Sequence, residues 1–310
     1  MTSSESTGRK TATGSLLLVV NGHASGIEDP QRTAVELTAI LDELHAPGEA
    51  VVTSDEAEMF DALRGAVATG RRVVLAGGDG SLHDAANAPL GKLPELALVP
   101  AGRANNIARA LHVPSDRARA LAIAALAPAR PLDVLRVETP ARTLFAVEGV
   151  SAGFQARARS EYNGDNSADL RRGIRTAARA LRRFEPFELR AVLDGQELVS
   201  DSAAQLFLSN LPYFGFGFEV DPRADPADGR LEAILFEAST RSALLPLAAA
   251  AYRGHHLGRS EVTILSTRRA ELLEPLPLVA DAVPLGTTTA TVSVDSHRLL
   301  VAAALPRRAQ

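Results

Sequence analysis

The chain has 310 residues, 46% of them hydrophobic, which is enough for two domains with sizeable cores and lies outside the composition of disordered proteins. It contains no cysteine, which excludes disulfides, thiolate metal sites and cysteine nucleophiles. With 33 basic and 37 acidic residues the net charge is -4; aromatics make up 4% and tryptophan is absent, so nucleic acid is not expected as a partner, whether by bulk charge or by base stacking.

Residues 1–14 are rich in Ser, Thr and Gly, and a disordered lead-in is expected there. No run approaches the ~18 continuous apolar residues of a membrane span. The apolar run over 16–20 is too short and too strand-like for the core of a signal peptide. The expected location is cytoplasmic, with access to a membrane surface as a peripheral protein.

From 15 to 133 strands and helices alternate. Strands are predicted over 16–20, 50–53, 73–76 and 96–99. Helices are predicted over 31–44, 55–68, 81–88, 105–111 and 115–126. This alternation predicts a parallel sheet with helices on both faces, a doubly wound α/β domain, and ligands at the carboxyl ends of its strands. Past Asp133 the pattern changes to short apolar runs over 144–147, 188–193, 204–208, 231–236 and 262–265. Asp194-Gly195 reads as a hairpin turn. A β-rich antiparallel domain is expected over 134–290, with residues 291–310 providing a last strand over 299–304 that returns towards the first domain.

Two motifs stand at predicted strand ends. Gly77-Gly78-Asp79-Gly80-Ser81 follows the run Val73-Val74-Leu75-Ala76. Three glycines around one carboxylate let backbone N–H groups approach an anion, and the helix behind them adds a favourable dipole. Asp79 suits phosphates only if a divalent cation bridges them. The second motif, Pro100-Ala101-Gly102-Arg103-Ala104-Asn105-Asn106-Ile107-Ala108-Arg109, follows the run over 96–99. Either motif alone reads as an ordinary turn; the pair carries the signal.

Together they resemble the diacylglycerol kinase catalytic domain, the lipid-kinase family that includes sphingosine and ceramide kinases. Asn21-Gly22 after the first strand, Val51-Val52-Thr53, and Asp225-Pro226-Ala227-Asp228-Gly229-Arg230 resemble further family stretches, so the likeness runs from about Leu16 to about Pro306. NAD kinase, a related fold, shares the first glycine motif, but the second favours the lipid-kinase branch. The resemblance implies the two-domain fold of these kinases, an α/β nucleotide domain followed by a β-sandwich. It also implies ATP and Mg2+ as cofactors, and transfer of the γ-phosphoryl group to a hydroxyl of diacylglycerol or a related lipid at a membrane surface. A sphingoid base or another hydroxylated metabolite is an alternative acceptor, and a homodimer is a candidate assembly.

Carried over residue by residue, the nucleotide site would comprise Asn21, Thr53, Gly77, Gly78, Asp79, Gly80, Ser81, Leu82, His83, Gly102, Arg103 and Asn105. Ser81 stands for the family's Thr and keeps a hydroxyl that can cap the helix. His83 is either a partly buried helix residue or a member of the site. Arg103 stands where a Thr or Ser is usual; it either pairs with a phosphate or fills the site. Asn106 replaces the usual Asp. Asp225, Asp228 and Arg230 resemble a structural Mg2+ turn, with the Asp228 carboxylate and the other two backbone carbonyls as ligands, or they form a plain Asp-Gly turn.

The sharpest departure lies at Asp281-Ala282-Val283, where bacterial members carry Asp-Gly-Glu and the Glu is the proposed proton acceptor. Asp281 is kept; valine cannot accept a proton, and Glu274 lies seven residues away. Either Asp281 or Asp79 then acts as base, or transfer is weak or lost, leaving a nucleotide-binding protein. Finally, residues 169–184 read as a basic amphipathic helix that either lies on anionic membrane or is merely solvated.

Overall fold

The structure, a computed structural model, describes residues 15–161, 181–215 and 217–303. Four strands form the sheet of the first domain: β1 (Leu16–Asn21), β3 (Val73–Gly77) and β4 (Leu96–Pro100), which are apolar and buried along almost their whole length, and the half-buried edge strand β2 (Gly48–Thr53). All are parallel, in the order β2-β1-β3-β4. The three inner strands are covered on both faces, which explains why they do not alternate polar and apolar residues.

The step from β1 to β2 and the step from β2 to β3 run in opposite directions across the sheet. Right-handed crossovers therefore place α1 (Pro30–Glu43) and α2 (Glu56–Thr69) on opposite faces. α1 packs with α5 (Arg117–Leu126), and α2 packs with α3 (Asp79–Asn87), giving the doubly wound layer order. Asp29, Asp55 and Asp116 accept from the third backbone N–H beyond them and start α1, α2 and α5.

The second domain is antiparallel. Its strands are β5 (Ala129–Glu138), β6 (Thr143–Ala146), β7 (Gly149–Gly153), β8 (Phe187–Leu193), β9 (Gln196–Ser209), β12 (Leu231–Glu237), β13 (Val262–Thr267), β14 (Arg269–Ala280) and β15 (Val283–Ala302). A short hairpin, β10 (Tyr213–Phe214) and β11 (Phe218–Glu219), stands apart. Asp194 and Gly195 both have positive φ, 47° and 88°, as a two-residue Asp-Gly hairpin requires, and they join β8 to β9.

The predicted last strand over 299–304 is the end of a single 20-residue strand. β15 first pairs with β14, then with β5 from Thr291 to Ala302, and finally lies parallel to β4 through Val301 and Ala302. One hydrogen-bonded path thus crosses both domains. The polar run Thr287 to Thr289 concealed this strand in the sequence. Likewise the predicted run over 204–208 is the buried half of β9, whose first half, from Gln196, is polar and largely exposed. Among the described residues, two helices of the second domain were not predicted: α6 (Phe154–Glu161) and an alanine-rich α7 (Arg241–Tyr252). The predicted basic helix over 169–184 lies, apart from its last residues, outside the described residues.

Candidate active site

β3 and β4 end side by side, and the two glycine motifs meet there. α3 begins at Asp79, two residues earlier than predicted, with Gly78 as its N-cap. A Cβ on Gly102 would lie 2.5 Å from Gly78 Cα, and a Cβ on Gly78 would lie 2.9 Å from Gly102 Cα. A Cβ on Gly77 would overlap the Ser81 side chain. The glycines are therefore required by close backbone approach. A narrow cleft follows, lined by both motifs through Gly77, Gly78, Asp79, Leu82, Asn105 and Ile107. Gly80 is exposed at its rim.

Ser81 Oγ accepts from Asn21 Nδ2 at 2.9 Å, which ties the end of β1 to α3. Thr53, buried at the end of β2, pairs in register with Asn21 and accepts at its carbonyl from Gly22 N–H. Asn105, just before α4 (Asn106–Ala110), has φ 51°. Its amide is turned onto its own loop, accepting from Gly102 N–H and donating to Gly102 O, both at 2.8 Å. Arg103 is exposed. Asp79 Oδ1 accepts from Ile107 N–H at 3.0 Å, so the carboxylate of the first motif sits on the first turn of the helix that follows the second.

Behind this cleft three carboxyl groups converge. Asp281 occupies the turn between β14 and β15, with φ 50°. Its Oδ1 accepts from Glu148 N–H and Gly149 N–H at 2.8 and 3.1 Å; its Oδ2 accepts from Val147 N–H at 2.9 Å and from His83 Nδ1 at 2.7 Å. A carboxylate has about four lone-pair sites, and all are engaged. The expectation that Asp281 takes the acceptor's proton does not fit this geometry; Asp281 anchors the β14–β15 turn to the second domain and to α3. Asn87, one turn beyond His83, extends the same seam by donating to Phe145 O and accepting from Phe145 N–H, both at 2.8 Å.

Glu148 was missed in the sequence. It is buried, and its Oε2 accepts from Asn106 Nδ2 and from Gly215 N–H, both at 3.1 Å. Asn106 also donates to Gly215 O at 2.6 Å and is fully buried, with no partner at Oδ1. Thus, where the resemblance shows Asn106 in place of the usual Asp, the fold brings a carboxyl group from another strand end onto the same amide. The sequence offered one signal: an acidic residue directly after the apolar run over 144–147.

The electrostatics follow from burial. Burial pushes the Glu148 carboxyl well above the ordinary range, and the charges of Asp281 and Asp79 add to the rise. Burial also raises Asp79, with Asp281 adding, against the backbone N–H groups of Ile107 and Asn106. Asp84 is raised to about 6, chiefly by burial. Burial alone would lower His83; the hydrogen bond and charge of Asp281 outweigh it and the net shift is upward. All four groups therefore hold protons more tightly than their free counterparts.

Val283 opens β15 beside the turn, half-buried. Glu274 lies in a separate open groove of about 710 Å³ with Arg157, Glu188 and Arg190, and shares no lining residue with the carboxyl cluster. The Asp225–Arg230 turn closes on itself. Asp225 accepts from Ala227 N–H, Asp228 from Arg230 N–H, and Asp133 from Gly229 N–H. Among the described residues no group of three or more His, Cys, Asp and Glu is arranged to hold a metal.

A doubly wound α/β domain with a glycine-lined cleft at its strand ends, closed by an antiparallel β-sandwich, defines a two-domain kinase-type architecture. The diacylglycerol kinase catalytic domain profile matches residues 15–137, and that of the YegS C-terminal NAD kinase beta sandwich-like domain matches residues 148–303. The chain belongs to this diacylglycerol kinase family of lipid kinases. A diacylglycerol kinase of Mycobacterium tuberculosis (strain CDC 1551 / Oshkosh) is 29% identical over 255 residues, covering 76% of this chain and 81% of its own. A diacylglycerol kinase of Bacillus subtilis (strain 168) is 25% identical over 210 residues, covering 64% and 66%. The crystal structure of a diacylglycerol kinase from Bacillus anthracis str. Sterne superposes with a TM-score of 0.70 over 93% of this chain and 96% of that one, at 16% identity, a likeness of fold.

Proposed function

We propose that the protein transfers the γ-phosphoryl group of ATP to a hydroxyl of diacylglycerol or a related lipid. The observation that carries this reading is the contact of Gly78 with Gly102, which leaves two backbone loops free of side chains at adjacent strand ends. A Cβ on either glycine would strike the other loop, so the pair packs the two loops together beside the N-terminus of α3, an end that suits an anion. Asp79, which lines the cleft, is the carboxylate that would face a divalent cation bound with the phosphates. When bound, Mg2+ would neutralise phosphate charge as transfer proceeds.

The chain's own residues supply the rest. Gly77, Gly78 and Gly102 let the two loops pack at the strand ends, and the exposed Gly80, with open space beside it, leaves the start of α3 accessible to a phosphate. Asn21 and Ser81 fix the start of α3. His83 and Asp281 hold α3 against the β14–β15 turn. Glu148 supplies a carboxyl at the amide of Asn106. Phosphoryl transfer depends mainly on positioning and charge neutralisation, so a valine at 283 lowers the rate without abolishing it.

A second reading, a nucleotide-binding protein without transfer activity, is favoured by one observation: Val283 carries no proton acceptor and every lone pair of Asp281 is engaged. Radiolabelled ATP with a total lipid extract separates the two. A labelled lipid supports the kinase. ATP binding with no labelled product supports the second reading.

A further inference from the structure

α7 presents an unusual outer face. Leu244, Leu247 and Ala251 are buried on its inner side. On the outer side Leu245 is 52% exposed and Tyr252 is 85% exposed. Between them Ala248 and Ala249 are also exposed, completing an i, i+3, i+4, i+7 stripe of one helical face. A solvated helix places charges there; this one places leucine, alanine and tyrosine.

Its rim is cationic. Arg241 and Arg253 are exposed at its two ends, and no Asp or Glu occurs between Arg241 and Ser260. Leu244 shares a buried cluster with Phe184 and Leu181, which brings the exposed Arg182 and Arg183 to the same side of the domain. The whole chain carries a charge of -4, so this is a local reversal of sign. α7 also packs against β11, the second strand of the hairpin whose turn residue Gly215 donates to Glu148.

We propose that this face of α7, Leu245, Ala248, Ala249 and Tyr252 between Arg241 and Arg253, is an interfacial surface that seats on an anionic phospholipid bilayer. Apolar side chains with a tyrosine at one end and cations at the rim match the boundary between acyl chains and anionic headgroups. A second copy of this chain fits less well, since a two-fold contact would oppose the same arginines to one another. The use assigned to the surface, presenting a lipid acceptor to the neighbouring cleft, rests on the lipid-kinase reading.

The test uses the full chain with phosphatidylcholine vesicles, with and without phosphatidylglycerol. Wild type is expected to float with the anionic vesicles and to be released by salt. Leu245→Ser with Tyr252→Ser is expected to weaken partitioning by about tenfold or more, the scale set by the lost apolar burial. Arg241→Glu with Arg253→Glu is expected to abolish the preference for anionic lipid. Because the chain has no tryptophan, Tyr252→Trp provides a single tryptophan whose selectively excited fluorescence should shift blue and be quenched by brominated acyl chains. These side chains are exposed, so unchanged thermal unfolding of each variant is the folding control. Failure of wild type to bind, equal binding by the serine variant, or unshifted emission from the Tyr252→Trp variant overturns the proposal. So does a serine variant whose only change is from dimer to monomer. A water-soluble short-chain diacylglycerol separates the two readings: the serine variant is expected to phosphorylate it like wild type, and vesicle binding without any phosphorylation would remove the kinase reading while leaving the surface.

Discussion

His83 Nδ1 and Asp281 Oδ2 lie 2.7 Å apart, although 198 positions separate them in the chain. The pair joins the helix behind the first glycine motif to the turn that precedes Val283. Asp281→Asn replaces two acceptors with an acceptor and a donor facing three backbone N–H groups. We expect it to cost about 3 kcal/mol, because a buried charged acceptor is lost and donors are left unpaired. His83→Gln, which leaves those three bonds in place, should cost less. Urea unfolding of both variants decides the order; a smaller loss for Asp281→Asn would deny the anchor role.

The glycine contact makes a binding prediction. Gly102→Ala forces a methyl group to within 2.5 Å of Gly78 Cα. We expect a stability loss of about 1–3 kcal/mol from overpacking. We also expect loss of the ATP-induced rise in melting temperature, which a ligand bound only to the native state produces. Asp79→Ala should retain an ATP shift but lose its dependence on Mg2+. Equal Mg2+-dependent shifts in wild type and Asp79→Ala would remove Asp79 from the site.

Stability should fall as pH rises across the weakly acidic range. Asp84 binds protons more tightly folded, at about 6, than at its ordinary 3.8, so its ionisation between those values favours the unfolded chain. Glu148 and Asp79, both raised, act in the same sense. His83, raised above its ordinary 6.5, contributes stability that is complete below that value and lost as pH climbs through its folded value. Denaturant midpoints should therefore decline from about pH 4 to about pH 6 through Asp84, and further above about pH 6.5 through His83. Asp84→Asn should flatten the lower part of this slope and His83→Gln the upper part. Midpoints that rise with pH over this range would contradict the assignment.

Val283→Glu tests whether residue 283 stands at the position of the proton acceptor. Ala282 is exposed, so Ala282→Gly can be added to free the turn without a packing cost. If residue 283 faces the acceptor hydroxyl, the double variant should raise lipid phosphorylation within the ~10–10⁴-fold scope of general-base catalysis. A buried, unpaired glutamate would instead cost stability, so unfolding is measured alongside rate. A well-folded double variant no faster than wild type would show that Val283 does not occupy that position.

The parallel sheet and its ligand-binding edge could be read from the sequence because their signals are local. A buried parallel strand is a continuous apolar run, as over 16–20 and 73–76, and a phosphate turn is a cluster of glycines at its end. Asp194-Gly195 was legible for the same reason, since a two-residue turn depends only on its own φ angles. The carboxyl cluster was not. Glu148 meets Asn106 over 42 positions and Asp281 meets His83 over 198, and no periodicity encodes such meetings. β15 hid because its exposed residues are as polar as a loop, and only pairing with β14, β5 and β4 makes them a strand. Sequence thus determined the local conformations and the chemistry available at each strand end. Tertiary structure alone decided which charges are buried together, and burial in common company is what shifts their protonation.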